Sequence, residues 1–401
     1  MTARRITVLG STGSVGLSTL DVLRRQQSIS VYALGAGSNW RLMLEQCREF
    51  RPEIVVMEDL MAAEQLAAAL KHEKLDVQVG TGQTALCEIA SASEVSIVMA
   101  AIVGAAGLPS ALAAVMSGKT VLLANKESLV MAGRLFTQAA KDSGATVLPI
   151  DSEHNAIFQC LPLRGQQSND QIAPSGVRKV VLTASGGPFL HASPDQLLSV
   201  TPEQACRHPN WSMGQKISVD SASMMNKGLE FIEACYLFDL NPDQVKVLIH
   251  PQSIVHSMVE YIDGSVLAQL GSPDMRVPIA HALAWPERIE SGASFLDLAA
   301  SPDLQFMEPD MERFPCLELA IAAARAGGHA PVVLNAANEI AVAGFLERKL
   351  GFLQIPQIVE KCLEQISCPE PVSMDMILEV DRQARAMAED MILGFRPGSW
   401  C

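Results

Sequence analysis

Three short stretches of this 401-residue chain carry side chains of the kinds that do chemistry. Asp151-Ser152-Glu153 follows an apolar run, so two carboxylates at i and i+2, with a hydroxyl between them, can project together where a strand ends. Hard anionic oxygens of this sort suit Mg2+ or Mn2+. The stretch from Asp220 to Glu230 reads as a helix from Ser223 on, which puts Asn226 and Glu230 on one face at i and i+4. Ser221, Asn226 and Lys227 are donors of the kind that hold a phosphate, and Glu230 is a candidate third metal carboxylate. Asn125-Lys126-Glu127-Ser128 closes another apolar run, where polar residues at the carboxyl end of a parallel strand face the ligand crevice. Each stretch also has a blander reading: a charged boundary loop, the polar face of an amphipathic helix, and a surface ion pair.

A glycine pattern supplies a second chemistry. Gly10, Gly13 and Gly16 lie between a strand pattern and a helix pattern. Gly10 allows a tight turn, Gly13 a close approach of the backbone to a pyrophosphate, and Gly16 close helix packing. The free N–H groups and dipole of the following helix favour an anion. The spacing is GxxGxxG, not GxGxxG, and an ordinary glycine-rich turn is the competing reading. After the second strand pattern, Gly37-Ser38-Asn39-Trp40-Arg41 offers no acid to hold a ribose 2′-hydroxyl. Ser38, Asn39 and Arg41 can accept a 2′-phosphate instead, which favours NADPH over NADH. Farther on, His208 and Trp211 lie in the Gly-, Pro-, Ser- and Asn-rich stretch 185–214, whose length suggests a lid.

The elements that must position these groups follow from periodicity. Strand patterns at Ile6–Leu9, Val31–Leu34, Ile54–Met57, Val95–Ala101, Thr120–Ala124 and Thr146–Ile150 alternate with helix patterns at Ser18–Gln26, Trp40–Phe50, Ala62–His72, Thr81–Ala90, Pro109–Ser117 and Gly133–Ser143. That alternation predicts an α/β chain with an N-terminal doubly wound, Rossmann-like parallel sheet. From Asp151 to Trp285, strand patterns at Lys179–Ala184, Val245–Ile249 and Ser265–Gln269 are separated by polar segments, which suggests an α+β catalytic domain with a lid loop. The C-terminal part is helical, with Leu317, Ala320, Ile321 and Ala324 at helical spacing and further patterns at Val359–Ile366 and Ile377–Met391. The expected domains are therefore residues 1–150 for NADPH, 151–285 for metal and substrate, a connection at 286–311, and a helical domain at 312–401.

Composition excludes some function classes. Hydrophobic residues are 49% and charged residues 18%, which is globular, and the net charge of -14 argues against a nucleic-acid partner. Nine cysteines without a CxxC pair read as thiols in a reducing compartment, which points to the cytoplasm. Val95 to Gly118 has no charged residue, but Gly104, Gly107, Pro109 and Ser110 interrupt it, so it reads as strand, turn and helix instead of a membrane span.

Together these segments resemble the 1-deoxy-D-xylulose 5-phosphate reductoisomerase family over essentially the whole chain. The resemblance rests on GSTGSVG at 10–16, AAIVGAAGL at 100–108, LLANKESLV at 122–130, DSEHNAIFQ at 151–159, SGGPF at 185–189, CRHPNWSMG at 206–214, SVDSASMMNKGLE at 218–230, LIHPQSIVHSMV at 248–259 and LNAANEIAV at 334–342. It implies isomerisation of 1-deoxy-D-xylulose 5-phosphate and reduction by NADPH to 2-C-methyl-D-erythritol 4-phosphate, an isoprenoid precursor. It also implies a homodimer. Thr12, Gly13, Ser14 and Val15 would hold the pyrophosphate region, and Gly37, Ser38 and Asn39 would lie near the adenosine phosphate. Asn125, Glu127 and Gly214 would also touch the cofactor. The resemblance gives Asp151, Glu153 and Glu230 to Mg2+, Mn2+ or Co2+, and Lys126, Ser152 and Glu153 to the reacting end of the substrate. Ser185, Ser221, Asn226 and Lys227 would grip its phosphate, near Glu230. His208 would close over the substrate, making Lys126, Glu153 and His208 the catalytic set, with Trp211 and Met213 in the lid. One departure is Ser38, where some members carry lysine. Two other readings stay open at this point: a plain NADPH-dependent aldehyde reductase with a structural metal, and a cofactor-binding regulatory protein on an inactive scaffold.

Overall fold

The computed structural model describes residues 4–162, 176–207 and 214–394. The chain forms two compact units, one of Met1–Ser128, Phe136–Asn155 and Asp274–Phe295, the other of Leu129–Leu135, Ala156–Pro273 and Leu296–Cys401.

The first unit is built on strand–helix alternation: β1 (Arg4–Leu9), α1 (Ser14–Arg24), β2 (Ile29–Ala36), α2 (Trp40–Phe50), β3 (Ile54–Met57), α3 (Leu60–His72), β4 (Gln78–Thr81), α4 (Gly82–Ser91), β5 (Ile97–Ala100), α5 (Leu108–Met116), β6 (Thr120–Leu123), α6 (Lys126–Ser143), β7 (Thr146–Pro149) and the start of α7 (Ser152–Cys160). Its seven strands pair in parallel in the order β4-β3-β2-β1-β5-β6-β7. A parallel sheet with helices on both faces needs strands apolar on both sides, and β5 (IVMA) is buried at all four positions. The order reverses between β1 and β5, and the crevice beyond the carboxyl ends of those strands is where such sheets bind ligands. The uncharged stretch 95–118 resolves into β5, a turn and α5. Among the described residues, no helix is long and apolar enough to cross a membrane.

The second unit carries β8 (Val177–Ala184), α8 (Pro194–Leu198), α9 (Pro202–Ala205), α10 (Gln215–Ala222), α11 (Met225–Leu237), β9 (Val245–Ile249), β10 (Val255–Tyr261) and β11 (Val266–Leu270). These strands form a mixed sheet, β11-β10-β8-β9, in which β10 runs antiparallel to β8 and β11. The chain then returns to the first unit for α12 (Arg276–Ala284) before α13 (Pro315–Ala326), α14 (Ala330–Leu346), α15 (Gln354–Gln365) and α16 (Met374–Gly394). Helix α14 packs against both α15 and α16, which accounts for its apolar sequence around most of the circumference. Where α11 meets α13, a Cβ on Gly228 would stand 2.4 Å from the Ala320 Cβ, so only glycine permits this approach.

Several boundaries differ from the sequence reading. The helix read from Ser223 on starts at Met225, because Met224 sits in the left-handed region (φ 65), and a separate helix, α10, precedes it. Helix α6 begins at Lys126, seven residues before Gly133, with Asn125 as its N-cap. The polar 185–214 stretch holds two short helices whose N-caps, Ser193 and Thr201, each form a capping box with a glutamine. Asp151 and Glu153 flank the first residue of a helix instead of ending a strand.

Candidate active site

At the carboxyl edge of the first sheet, β1 passes into the glycine loop. Gly10 has φ 81, and a Cβ there would come within 2.4 Å of the Ala101 carbonyl oxygen at the end of β5. A Cβ on Gly16 would fall 2.3 Å from the Gly10 oxygen. The loop is pinned from behind by Gln46 of α2, whose amide accepts from the Ser11 hydroxyl at 2.7 Å and donates to the Ser11 carbonyl at 2.9 Å. Gly13 and Ser14 are exposed, and Thr12 and Val15 are half-buried. Helix α1 starts with no side-chain cap and no acid in its first turn, so its N–H groups stay open to an anion.

Beyond β2, Gly37, Ser38 and Asn39 are exposed. Asn39 caps α2 by accepting from the Leu42 N–H at 3.3 Å, and the Arg41 guanidinium stacks over the Trp40 ring at 4.8 Å.

Beyond β6, Asn125 is buried and its amide is fully used. Its Nδ2 donates to the carbonyls of Ile102 and, at 2.9 Å, Gly104, and its Oδ1 accepts from the Ser128 N–H and hydroxyl, each at 2.7 Å. Lys126 is 5% exposed and forms an ion pair with Asp151. Ser152 donates to Glu153 at 2.6 Å. Glu127 is also buried. His154, which sequence reasoning left without a role, is fully buried, with a ring nitrogen within 4.8 Å of an Asp151 carboxylate oxygen. Its signal was its position in the turn that opens α7, beside the acids. Gln46 had no signal at all, because the Ser11 contact joins residues 35 apart.

In the second unit, β8 ends at Ala184 and delivers Ser185 into a turn with Gly186 at φ 83 and Gly187 at φ 69. The Ser185 hydroxyl accepts from the Gly187 N–H at 3.2 Å. A Cβ on Gly187 would stand 2.7 Å from the Ser221 carbonyl oxygen, so the turn carrying Ser185 lies directly on the segment carrying Ser221. Phe189 packs edge-on to Phe352, with 5.4 Å between ring centroids, and fixes the far side of that turn. Across the α10–α11 break, Asn226 donates to Glu230 at 2.6 Å, and Lys227 pairs with the other Glu230 oxygen. Lys227 and Glu230 are 4% and 1% exposed, so both charges are desolvated and compensated within one helix. Ser221 and Asn226 are half-buried, and Gly214 is exposed at the start of α10. His208, Trp211 and Met213 lie outside the described residues.

Each unit carries its own set of candidate residues. The first has a glycine loop at an uncapped helix start and a buried lysine paired with a half-buried aspartate; the second has a serine, asparagine and lysine cluster around a buried glutamate. Three family models match the chain: 1-deoxy-D-xylulose 5-phosphate reductoisomerase over residues 6–133, and two descriptions of the reductoisomerase C-terminal domain over 147–238 and 270–387. A 1-deoxy-D-xylulose 5-phosphate reductoisomerase of Cellvibrio japonicus is 60% identical over 96% of this chain and 98% of the relative. The chain belongs to that family.

The reductoisomerase of Pseudomonas aeruginosa is 58% identical over 96% of this chain and 97% of its own. Among solved structures, a DOX-P reductoisomerase in complex with NADPH, fosmidomycin and magnesium superposes with a TM-score of 0.93 at 48% identity, covering 97% of this chain and 98% of that one. The Zymomonas mobilis enzyme in complex with NADPH gives 0.89 at 46% identity, covering 98% and 99%. By family, the chain is an oxidoreductase that also isomerises, and the two alternative readings, plain reductase and inactive scaffold, give way to that one.

Proposed function

We propose that the chain converts 1-deoxy-D-xylulose 5-phosphate to 2-C-methyl-D-erythritol 4-phosphate, a step toward isoprenoid precursors, using NADPH and Mg2+, for which Mn2+ or Co2+ can substitute. The observation that carries this reading is the ion pair of buried Lys126 with half-buried Asp151 at the carboxyl edge of the parallel sheet. It holds a cation against a carboxylate where this fold binds ligands.

Residues 1–150 bind the cofactor in this reading, 151–285 the metal and substrate, and 312–401 support them through the connection at 286–311. Thr12, Gly13, Ser14 and Val15 take the pyrophosphate on the open start of α1. Gly37 and Ser38 face the adenosine phosphate, and Asn39 does so while capping α2. Asn125, its amide committed elsewhere, reaches the cofactor only through its main chain; Glu127 and Gly214 complete the contacts. Asp151, Glu153 and Glu230 hold the metal. The donor set fits a hard divalent ion: carboxylate oxygens, no thiolate, and a cation already standing at Asp151. When bound, the metal polarises the substrate carbonyl and orients its oxygens, and NADPH supplies the hydride.

The rest of the chemistry belongs to the chain. Ser185, Ser221, Asn226 and Lys227 bind the phosphate and so fix the reacting end by its far end. Lys126 donates a hydrogen bond to the substrate oxygen on which negative charge develops. Ser152 and Glu153 hold the neighbouring hydroxyls, and Glu153 is placed to take up a hydroxyl proton. His208, Trp211 and Met213 close over the substrate and exclude water.

The reading includes a homodimer working in the cytoplasm. Val266 and Leu267 on the sheet-edge strand β11 are exposed, as is Ile262 beside it, an apolar edge that pairing with a second copy would cover. The test is loss of NADPH absorbance on adding 1-deoxy-D-xylulose 5-phosphate, with Mg2+ and with EDTA. Metal-dependent oxidation yielding methylerythritol phosphate is expected; NADPH oxidation that ignores EDTA, or proceeds equally well with NADH, would refute the metal or cofactor assignment.

A further inference from the structure

The segment assigned to the substrate phosphate is held by a residue far from it in sequence. Asp220 precedes Ser221 and is 1% exposed. One of its oxygens accepts from the Asn338 amide at 2.8 Å, and the other meets the Lys216 ammonium at 2.9 Å. Asn338 lies in the middle of α14 and is fully buried. Its own Oδ1 meets no hydrogen-bond donor among the described residues, so its one polar attachment there is the bond to Asp220. A leucine shares the branching of asparagine without burying an amide, yet an amide stands there.

The geometry around Asp220 shows what this bond controls. Immediately after it, the chain breaks helix at Met224 and restarts α11, whose first turn carries Asn226 and Lys227. The Ser223 hydroxyl donates back to the Asp220 carbonyl at 3.3 Å, tying the break to Asp220. On the other side, Gly228 seats α11 against Ala320 of α13. The break between α10 and α11 is therefore clamped to the C-terminal helices at two points, one polar and one steric. The polar one also matters electrostatically. A bare carboxylate one residue from Ser221 would repel a dianionic phosphate, whereas Lys216 and Asn338 occupy both of its oxygens.

We propose that Asn338 is a positioning residue for phosphate binding, acting through Asp220 and Lys216 to hold the α10–α11 turn in its phosphate-gripping geometry. This rests on the assignment of Ser221, Asn226 and Lys227 to the substrate phosphate.

The test measures steady-state constants of the full-length protein and competitive inhibition by inorganic phosphate. Asn338→Leu is expected to raise the KM for 1-deoxy-D-xylulose 5-phosphate about tenfold and to weaken inhibition by phosphate by the same factor, with kcat and the KM for NADPH within about twofold. Asn338→Asp, which sets an acceptor against a carboxylate, should be worse than leucine. Lys216→Met, at a partly exposed position, should shift the same two constants about threefold and decides the matter if the Asn338 variants do not fold. A merely structural role would lower Tm and leave phosphate inhibition of the folded enzyme where it was. Ser221→Ala separates the two levels of the claim. If it weakens phosphate inhibition while Asn338→Leu does not, the positioning role is wrong and the phosphate assignment stands. If Ser221→Ala has no effect either, the phosphate assignment itself falls.

Discussion

The amide nitrogen of Asn125 stands 2.6 Å from where a Cβ on Gly107 would be. The same Asn125 side chain caps α6 and bonds the carbonyls of the 102–104 turn, so one buried amide joins the ends of β5 and β6.

Asn125→Leu should therefore act on fold and cofactor together. Losing a helix cap and buried hydrogen bonds costs about 2–4 kcal/mol. A lower Tm and a weaker Kd for NADPH are expected by calorimetry and fluorescence titration. Gly107→Ala should produce the same pair of changes, since its new Cβ displaces Asn125. A Gly107→Ala protein with native Tm would show that the turn yields easily.

Gln46 makes a cleaner probe of the glycine loop. Gln46→Leu removes two bonds to Ser11 without touching any group assigned to the ligand, at about 1–3 kcal/mol. NADPH affinity should fall several-fold while the affinity for inorganic phosphate stays constant. Equal affinity for NADPH in wild type and variant would mean the loop holds its shape unaided.

For Glu230, the sequence alone suggests that glutamine would cut turnover sharply and spare the fold. The buried pair with Lys227 changes that expectation. Glu230→Gln removes the charge that compensates a buried ammonium, a loss of about 3–5 kcal/mol. Activity and Tm should both drop. Adding Lys227→Met should restore much of the Tm and none of the activity. Recovery of turnover in the double variant would remove Glu230 from the metal set.

Two buried histidines set an acid limit. Burial, reinforced by Arg288, lowers the His281 pKa to about 4, and burial also lowers that of His250. The His250 Nε2 accepts from the Ile254 and Val255 N–H groups, at 3.1 Å each, so the neutral ring is the form the fold uses. A folded-state pKa below the unfolded value near 6.5 means the unfolded chain binds more protons, so stability falls as pH drops below that value. For His281 the loss runs from about 6.5 to about 4 and is complete below that. His281→Leu should flatten Tm against pH over this window. An unchanged slope would assign acid sensitivity to other groups.

Much of this was legible in the sequence wherever local chemistry decides the outcome. Trp40–Phe50, Ile54–Met57 and Val245–Ile249 were read to the residue, because apolar period and turn residues agree there. The strand Gln78–Thr81 was missed because it is a sheet edge, with no buried position to impose a pattern. The strand Val255–Tyr261 interleaves histidine and serine with its apolar residues, and the His256 ring meets Gln269 of the neighbouring β11. Helix α14 carried no visible period, since it is buried on most sides. The break at Met224 had no signal, because methionine has no preference for a left-handed backbone. The reacting groups at 125–128, 151–153 and 221–230 announced themselves by type. Their tethers did not: Gln46 and Asn338 act across 35 and 118 residues respectively, distances over which sequence spacing carries no information.

The return of the chain to its first unit at Asp274–Phe295 bears on how the protein is made. Helix α12 lies against α1, Arg276 bonds Asp21 at 3.0 Å, and the Arg4 side chain donates to the Leu283 carbonyl at 3.0 Å. A nascent chain emerging from a ribosome can form its parallel sheet early, yet the back of α1 stays bare until the residues of α12 have left the exit tunnel. During that interval the second sheet is synthesised while the first unit still lacks a piece. Synonymous codon changes that speed or slow translation between β7 and α12 would then alter the yield of soluble protein without altering the finished molecule.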